Sequence, residues 1–265
     1  MENAALNAAL AECGPGDVSV ACGLFHTAVL ARGRVFVFGR GSGGRLGLGD
    51  DADAHAPVEL PDLPSGDAVE ALALGGLHTV LLTRSEMRAC GFGGFGALGL
   101  GDYKPRLTPA RVPPAWASKD EASPARVTAV AAGGAHTLAV ASDGALWAWG
   151  RDEGEGRLGV SAAAHADGGS NAPLRVPLQP ESPPPRAAAA GGFHSLVLLG
   201  DNGQEVLSFG GNANGELGRE GGTWSPAPVP ALRGARVVQL AAGGFHSAAL
   251  TADGEVRRIS SMNDA

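Results

Sequence analysis

The segment Gly133-Gly134-Ala135-His136-Thr137 is one of five similar segments that decide the architecture of this chain. The other four are Cys22-Gly23-Leu24-Phe25-His26, Gly75-Gly76-Leu77-His78, Gly191-Gly192-Phe193-His194 and Gly243-Gly244-Phe245-His246. The five histidines are 52, 58, 58 and 52 residues apart, and each precedes Thr or Ser and then an apolar run. Recurrence at a near-constant period is typical of repeat proteins. A residue that returns once per unit is expected to build the scaffold rather than to catalyse.

One unit, read from residue 18, predicts four short strands. Residues 18–22, 27–31 and 35–38 are short and rich in apolar and β-branched side chains, and residues 56–60 form a fourth run with Pro57 near its entry. A missing N–H matters least at the edge of a sheet, so this proline fits an outer strand. Three or four strands with tight turns per period are typical of one propeller blade.

A second motif, Leu-Gly, follows the third predicted strand in four of the units. Its copies are Leu46-Gly47, Leu98-Gly99, Leu158-Gly159 and Leu217-Gly218. We expect each leucine to fill the interface between adjacent units and each glycine to turn the chain. The glycines of the histidine motif (Gly23, Gly76, Gly134, Gly192 and Gly244) are expected to allow a positive φ and a close approach between neighbouring backbones.

The order of these motifs resembles the regulator of chromosome condensation repeat family. It runs Gly-Gly-x-His-Thr, then Asp-Gly (Asp143-Gly144), then Trp-Gly (Trp149-Gly150), then Leu-Gly-x-Gly-Asp, and it covers residues 18–258. The resemblance implies a β-propeller of four-stranded blades, usually seven in number. It also implies a relation to a founding member that exchanges guanine nucleotide on the Ran GTPase.

The predicted fold class is all-β, a β-propeller-like array of four-stranded blades that is incomplete or open relative to a seven-bladed ring. Residues 1–17 are expected to form a short helix or a frayed end. The repeats are placed at 18–67, 68–125, 126–186, 187–234 and a truncated 235–265. The last has no Leu-Gly motif, and Arg257 and Arg258 stand where an aromatic-Gly pair is due. Two segments without a clear period, 103–126 and 161–186, are interpreted as surface loops or, alternatively, as partner-binding excursions.

Composition narrows the classes of function. The net charge is −7 and neither end carries a basic run, so direct nucleic-acid binding is not expected. The chain has three cysteines without metal-ligand spacing, which disfavours disulfides and zinc. No apolar run is long enough for a membrane span, and the acidic start is unlike a secretory signal. We expect a location in the cytoplasm or the nucleus.

The sequence predicts no catalytic, cofactor-binding or metal-binding residue. One histidine per repeat would be spread around an axis, so a buried histidine bonded to a neighbouring group is the favoured interpretation. The glycine-rich segment 39–44 lacks the following helix and the Gly-Lys-Ser/Thr that a phosphate-binding loop needs. We therefore expect a protein that is not an enzyme and needs no cofactor.

The favoured function is a non-enzymatic scaffold that binds a protein partner. The first alternative is guanine-nucleotide exchange on a Ran-like or other small GTPase, and the second is a truncated or degenerate copy without independent activity. A photoreceptor role of the kind found in a plant branch of the family is disfavoured. That role uses tryptophans before the motif histidines, whereas this chain has Phe25, Leu77, Ala135, Phe193 and Phe245 there.

Overall fold

The computed structural model describes residues 3–61, 63, 65–116, 125–161, 163 and 168–259. One α-helix, α1, spans Ala4–Ala11. The strands are β1 (Val18–Cys22), β2 (His26–Ala31), β3 (Arg34–Gly39), β4 (Ala54–Glu59), β5 (Val69–Leu74), β6 (His78–Thr83), β7 (Met87–Gly91), β8 (Arg106–Arg111), β9 (Val127–Ala132), β10 (His136–Ala141), β11 (Leu146–Arg151), β12 (Gly169–Arg175), β13 (Pro185–Ala190), β14 (His194–Leu199), β15 (Glu205–Gly210), β16 (Ala227–Pro228), β17 (Val237–Ala242), β18 (Ser247–Thr251) and β19 (Val256–Arg258). In the described part of the chain no helix has the length and apolarity needed to cross a bilayer.

The strands form five antiparallel sheets, each made from strands that are consecutive in the chain. Sheet 1 contains β1–β4, sheet 2 β5–β8, sheet 3 β9–β12, sheet 4 β13–β16 and sheet 5 β17–β19. The expected all-β propeller architecture is confirmed, with five blades, the last of which has three strands in the described residues. Since consecutive strands are antiparallel, the histidine-motif turn and the Leu-Gly loop lie at the same end of the sheet in each of the first four units.

The two segments without a clear period, 103–126 and 161–186, which the sequence analysis interprets as surface loops, each contain a strand. β8 lies within 103–126 and β12 lies within 161–186, and each pairs with the third strand of its sheet. Proline and many polar residues in these outer strands removed the alternation from which a strand is predicted. Residues 117–124, 162 and 164–167 of the two segments lie outside the described residues.

The turn between β2 and β3 shows why these hairpins close tightly. Ala31 pairs with Arg34, so the loop contains only Arg32 and Gly33. Their φ values are 51° and 83°, both in the left-handed region. Two central residues of positive φ form the turn type whose twist matches that of the flanking strands.

The hydrophobic core lies between sheets rather than at one centre. Val80 and Leu82 of sheet 2 share a buried cluster with Ala139 and Trp149 of sheet 3. Comparable clusters join sheets 1 and 2, sheets 3 and 4, and sheets 4 and 5. Each sheet is therefore stabilised mainly by its neighbours, as in other repeat arrays.

The two ends of the array differ. Extensive packing between strands of different sheets links only consecutive sheets in the described chain, so sheets 1 and 5 do not pack extensively on each other. Helix α1 covers part of the outer face of sheet 1, where Ala9 joins a cluster with Val29, Ala31 and Phe36. On sheet 5, by contrast, Val256 is 72% exposed.

Candidate functional site: the sheet junctions and the central pit

The repeated histidine sits at the junction between one sheet and the next. His26, His78, His136 and His194 are the first residues of β2, β6, β10 and β14, directly after the glycine turn, and all four are buried. In each of them Nε2 lies within hydrogen-bond distance of the Ser or Thr hydroxyl that follows the motif histidine of the next sheet. The pairs are His26–Thr79 at 2.8 Å, His78–Thr137 at 2.9 Å, His136–Ser195 at 2.9 Å and His194–Ser247 at 2.6 Å.

The hydroxyl of each pair also fixes the tautomer of the histidine. Ser195 Oγ donates to the carbonyl oxygen of Arg157 at 2.8 Å, and Thr137 Oγ1 donates to that of Ala97 in the same way. A hydroxyl has one proton, so Ser195 must accept a hydrogen bond from His136. The histidine therefore carries its proton on Nε2, and its Nδ1 has no hydrogen-bond partner.

Burial keeps these four histidines neutral. Loss of hydration lowers the pKa of His26 and His194 to about 4 and that of His78 to about 3. Burial also holds the pKa of His136 well below its usual range, with a smaller contribution from Arg157. A neutral imidazole with one N–H is the form that the junction hydrogen bond requires.

The glycine pairs bring adjacent backbones into direct contact. The N–H groups of Gly76, Gly134 and Gly192 donate to carbonyls of Gly133, Gly191 and Gly243, each at 3.0 Å. A Cβ atom on Gly134 would lie 2.6 Å from the Gly192 carbonyl oxygen. The expected close approach is therefore present, whereas the expected positive φ is wrong. None of the glycines in these pairs has a positive φ, and Gly23 does not have one either.

The Leu-Gly motif completes the junction. The four leucines are fully buried, and Leu46 packs in the cluster that sheets 1 and 2 share. The glycines after them, by contrast, do have a positive φ, between 61° and 73°. The carbonyl oxygen that accepts the hydrogen bond from the junction hydroxyl belongs to the residue before each leucine, for example Arg157 before Leu158. The two motifs thus meet through one hydroxyl of the following sheet.

The fifth histidine departs from the other four. His246 is exposed and, among the described residues, has neither a hydrogen-bond partner nor a sheet that follows its own. A Cβ atom on Gly244 would meet nothing within 4 Å, in contrast to Gly134. At the opposite end, the Thr27 hydroxyl accepts no hydrogen bond from a histidine of the described residues, and it lies 3.9 Å from Cys22 Sγ.

The glycine turns of all five sheets surround a central pit of about 530 Å³. Backbone and small side chains form most of its wall, and Phe95, Phe193, Phe245, Arg151 and Arg157 also line it. We call this end of the array, with the glycine turns and the Leu-Gly loops, the turn face. A concave site with mostly apolar walls and a few polar groups has the general form of a ligand-binding site.

Arginines lie over aromatic rings on the turn face. Arg151 is 4.4 Å from the ring centre of Phe95, and Arg157 is 5.0 Å from that of Phe193. Phe193 in turn stacks on Phe245, with ring centres 5.4 Å apart. Such cation–π contacts hold charged and aromatic groups in fixed positions at a surface.

The sequence reasoning did not identify these residues. The available signals were a phenylalanine before three of the motif histidines and an arginine before two of the Leu-Gly pairs. The residue pairs themselves come from different sheets, so no local spacing joins them. Within the described residues, no group of three His, Cys, Asp or Glu side chains could hold a metal ion.

The five similar sheets and their hydrogen-bonded junctions define a repeat protein of the β-propeller class. The model of the regulator of chromosome condensation (RCC1) repeat matches residues 32–82, 89–140 and 204–250, and a second model of this repeat matches residues 127–156. The chain therefore belongs to the regulator of chromosome condensation repeat family, as its motifs predicted.

Known proteins of similar sequence and structure agree with this assignment. The mitochondrial RCC1 domain-containing protein RUG3 of Arabidopsis thaliana is 38% identical over 242 residues, which is 90% of this chain and 52% of the relative. The crystal structure of human WBSCR16 matches with a TM-score of 0.74 and 28% identity, over 90% of this chain and 60% of that one. The structure of Prp20p from Saccharomyces cerevisiae, described with its binding to Gsp1p and histones, gives a TM-score of 0.73 at 22% identity and covers 91% and 57%. The chain spans about half the length of the curated relatives it matches.

Proposed function

We propose that this chain is a non-enzymatic interaction scaffold that binds a protein partner on its turn face. The observation that carries the proposal is the central pit with its exposed apolar rim, where the aromatic Phe245 is 57% exposed and Leu24 is 71% exposed. Aromatic and arginine side chains around a concavity are the groups that contribute most to protein–protein binding. The junction histidines support the proposal indirectly, because we assign them to holding the sheets that carry this rim.

The test removes the rim and leaves the junctions intact. The double substitution Phe193→Ala/Phe245→Ala is expected to weaken capture of the native partner at least tenfold, with unchanged far-UV circular dichroism. The matched control is Val58→Ala, which shortens an exposed apolar side chain on the outer strand β4. Equal loss of the partner from both variants would refute the turn face as the binding surface.

The first alternative is guanine-nucleotide exchange on a Ran-like or other small GTPase. The likeness of the fold to Prp20p, whose structure is described with binding to Gsp1p, favours it over other activities. An exchange factor binds the nucleotide-free GTPase more tightly than the loaded form, since only that preference can drive release. Capture of a GTPase with EDTA but not with excess GDP, together with faster release of a fluorescent GDP analogue, would move exchange to first place.

The remaining proposals concern completeness and location. We propose that the array is open relative to a closed ring, supported by the lack of extensive packing between sheets 1 and 5 and by His246, which has no hydrogen-bond partner among the described residues. A degenerate copy without activity is the second alternative, and aggregation of the purified chain would favour it. We propose the cytoplasm or the nucleus as its location, while the Arabidopsis relative is described as mitochondrial, so imaging of a fluorescent fusion must decide between them.

A further inference from the structure

One side chain of the turn face, Arg151, lies between two cavities. It lines the central pit and also a smaller cavity of about 280 Å³, which we call the side pocket. Phe95 belongs to the same shared wall, and Tyr103, which is 50% exposed, lines the side pocket beside it. The two aromatic residues come from the Leu-Gly loop of sheet 2, whereas Arg151 ends β11 of sheet 3. The two cavities therefore meet at a junction between interior sheets of the array.

The guanidinium of Arg151 has unused hydrogen-bond donors. An arginine side chain carries five N–H groups. Among the described residues, the polar group that pairs with this guanidinium is the carboxylate of Glu153, and the Nε of Arg151 is buried without a partner. Because the side chain is 33% exposed and lines both cavities, the rest of the guanidinium is accessible to an incoming group.

Other arginines of the Leu-Gly loops use their donors within the chain. Arg45 donates from Nε to the carbonyl of Ser42 at 2.9 Å and from Nη1 to the carbonyl of Gly76 at 3.2 Å. Arg219 donates from all three of its nitrogens to oxygens of its own sheet. Arginines that fix these loops thus bond to oxygens of the chain, as buried polar groups normally do. Arg151 differs, because it has donors left for a group outside the chain.

The charges around the pit favour a ligand with a single negative charge. Among the described residues that line the pit, the charged ones are Arg151 and Arg157. Arg157 is only 2% exposed, so it adds positive potential from beside Phe193 without offering a direct contact. Each arginine also pairs with an exposed glutamate, Glu153 and Glu155 respectively. These two carboxylates repel a doubly charged phosphate more strongly than they repel a carboxylate.

The backbone at Glu153 is strained. Its φ is 48°, in the left-handed region that residues with a Cβ atom rarely adopt. The N–H groups of Asp152 and Glu153 both donate to the carbonyl of Gly168, at 2.6 and 2.8 Å, and so hold this turn. Strained residues of this kind concentrate at ligand-binding sites. The strained turn thus supports Arg151 and Glu153 as members of a binding site.

We propose that Arg151 binds an acidic side chain of the protein partner, while apolar side chains next to that acid enter the central pit and the side pocket. This inference rests on the proposed function, since it names the chemistry of the partner at the same face. The acid accepts charge-assisted hydrogen bonds from the Arg151 nitrogens that Glu153 leaves unused. The side pocket is smaller than the ~300 Å³ at which pockets begin to hold drug-sized ligands, so it suits one side chain. A free carboxylate would fill neither cavity, whereas a polypeptide segment fills both.

The first experiment finds the preferred ligand without a known partner. Phage-displayed random peptides are selected on the whole chain and, in parallel, on Arg151→Gln. We expect the unsubstituted chain to enrich peptides with Asp or Glu between apolar residues, and Arg151→Gln to lose this enrichment. Peptides without an enriched acid that still require Phe193 and Phe245 would overturn this inference and leave the turn face as the binding surface. Peptides indifferent to all three side chains, or no peptides, would count against the proposed function itself.

A cycle of substitutions in the peptide and the protein then tests the contact. Fluorescence polarisation measures the Kd of a selected peptide and of its Glu→Gln form. We expect the acidic peptide to bind the unsubstituted chain at least tenfold more tightly than the amide form, and both to bind Arg151→Gln equally. Arg126→Gln is the matched control, at an exposed arginine that precedes β9 at the opposite end of sheet 3, and should change neither Kd. Equal losses for the two peptides on Arg151→Gln would overturn the proposal.

Glu153→Gln gives a prediction of opposite sign. The substitution removes the carboxylate that competes for Arg151, so the acidic peptide should bind severalfold more tightly, with unchanged far-UV circular dichroism. Weaker binding of the acidic peptide by Glu153→Gln would contradict the assignment of Arg151 as its anchor. A phosphoserine in place of the glutamate should weaken binding, because Glu153 and Glu155 lie nearby. Tighter binding of the phosphoserine peptide would overturn the choice of a carboxylate in favour of a phosphorylated partner.

Discussion

Replacement of a junction histidine tests whether these residues hold the sheets together. His136 is fully buried, and its Nε2 lies 2.9 Å from the Ser195 hydroxyl of the next sheet. His136→Ala removes this hydrogen bond, which contributes about 1 kcal/mol. It also removes a buried ring, for which Phe→Ala at about 3–5 kcal/mol gives an upper limit. We expect the free energy of unfolding to fall by about 2–4 kcal/mol, a large share of the total for one domain.

The chain contains its own control for this substitution. His246 has the same place in the motif, but it is exposed and unpaired, so His246→Ala should change stability by less than ~0.5 kcal/mol. Urea unfolding at pH 7.5, followed by tryptophan fluorescence and far-UV circular dichroism, measures both variants. Trp149 is fully buried between sheets 2 and 3 and reports on this region. Equal midpoints for the two variants would refute the assignment of the junction histidines to scaffold stability.

A double-mutant cycle separates the contribution of the hydrogen bond to stability from the contribution of side-chain packing. Ser195→Ala leaves the Nε2–H of His136 buried without an acceptor, a loss of about 1–3 kcal/mol. If the pair acts as a unit, the double variant His136→Ala/Ser195→Ala will be less destabilised than the sum of the single variants, by about 1 kcal/mol or more. Additive effects would show that the hydrogen bond itself contributes nothing and that only packing matters.

Three further outcomes are expected. Gly134→Ala should destabilise the protein by about 1–3 kcal/mol, since its Cβ would lie 2.6 Å from a carbonyl oxygen, whereas Gly244→Ala should be neutral in urea unfolding. Stability should fall with acidification from about pH 6.5 towards pH 4. In this pH range each histidine of the unfolded state binds a proton, whereas His26 and His194 in the folded state have pKa values of about 4. Each of the two therefore contributes about 2 kcal/mol less to the free energy of unfolding at pH 5 than at pH 7. A urea midpoint that does not change with pH would contradict this. A thiol reagent should label exposed Cys22 quickly and buried Cys90, with a pKa raised to about 12, only upon unfolding, as counted by mass spectrometry.

The fold was predictable because both of its determinants are local. The histidine motif recurs once per unit and so reveals the period of the repeat. Hairpins such as β2–β3 are predicted by the short apolar runs on either side of Arg32-Gly33. Strand β8 was missed for an equally local reason. It reads RLTPAR, with a proline and two charged ends, and lies at the edge of its sheet, so nothing in its own sequence distinguishes it from a loop.

The contacts of the site are different, because they join residues of separate units. The sequence singled out His136 and Thr137 as neighbours, yet His136 binds Ser195 and Thr137 binds His78. Two adjacent residues thus serve two different junctions, since successive side chains of a strand point to opposite faces of the sheet. The pairs Arg151–Phe95 and Arg157–Phe193 of the turn face are likewise formed between units, and the spacing of neither partner along the chain predicts them.

The same alternation explains why an array of this kind ends in chemically distinct surfaces. Each strand of the motif sends a histidine towards the next sheet and a hydroxyl towards the preceding one, so an array that does not close into a ring leaves one hydroxyl and one histidine unused. Here the hydroxyl end, at Thr27, has helix α1 over the outer part of its sheet, while the histidine end, at His246, has no described cover. The polarity of the repeat therefore makes the two ends of the described array chemically different, with the hydroxyl of Thr27 on sheet 1 and the imidazole of His246 on sheet 5.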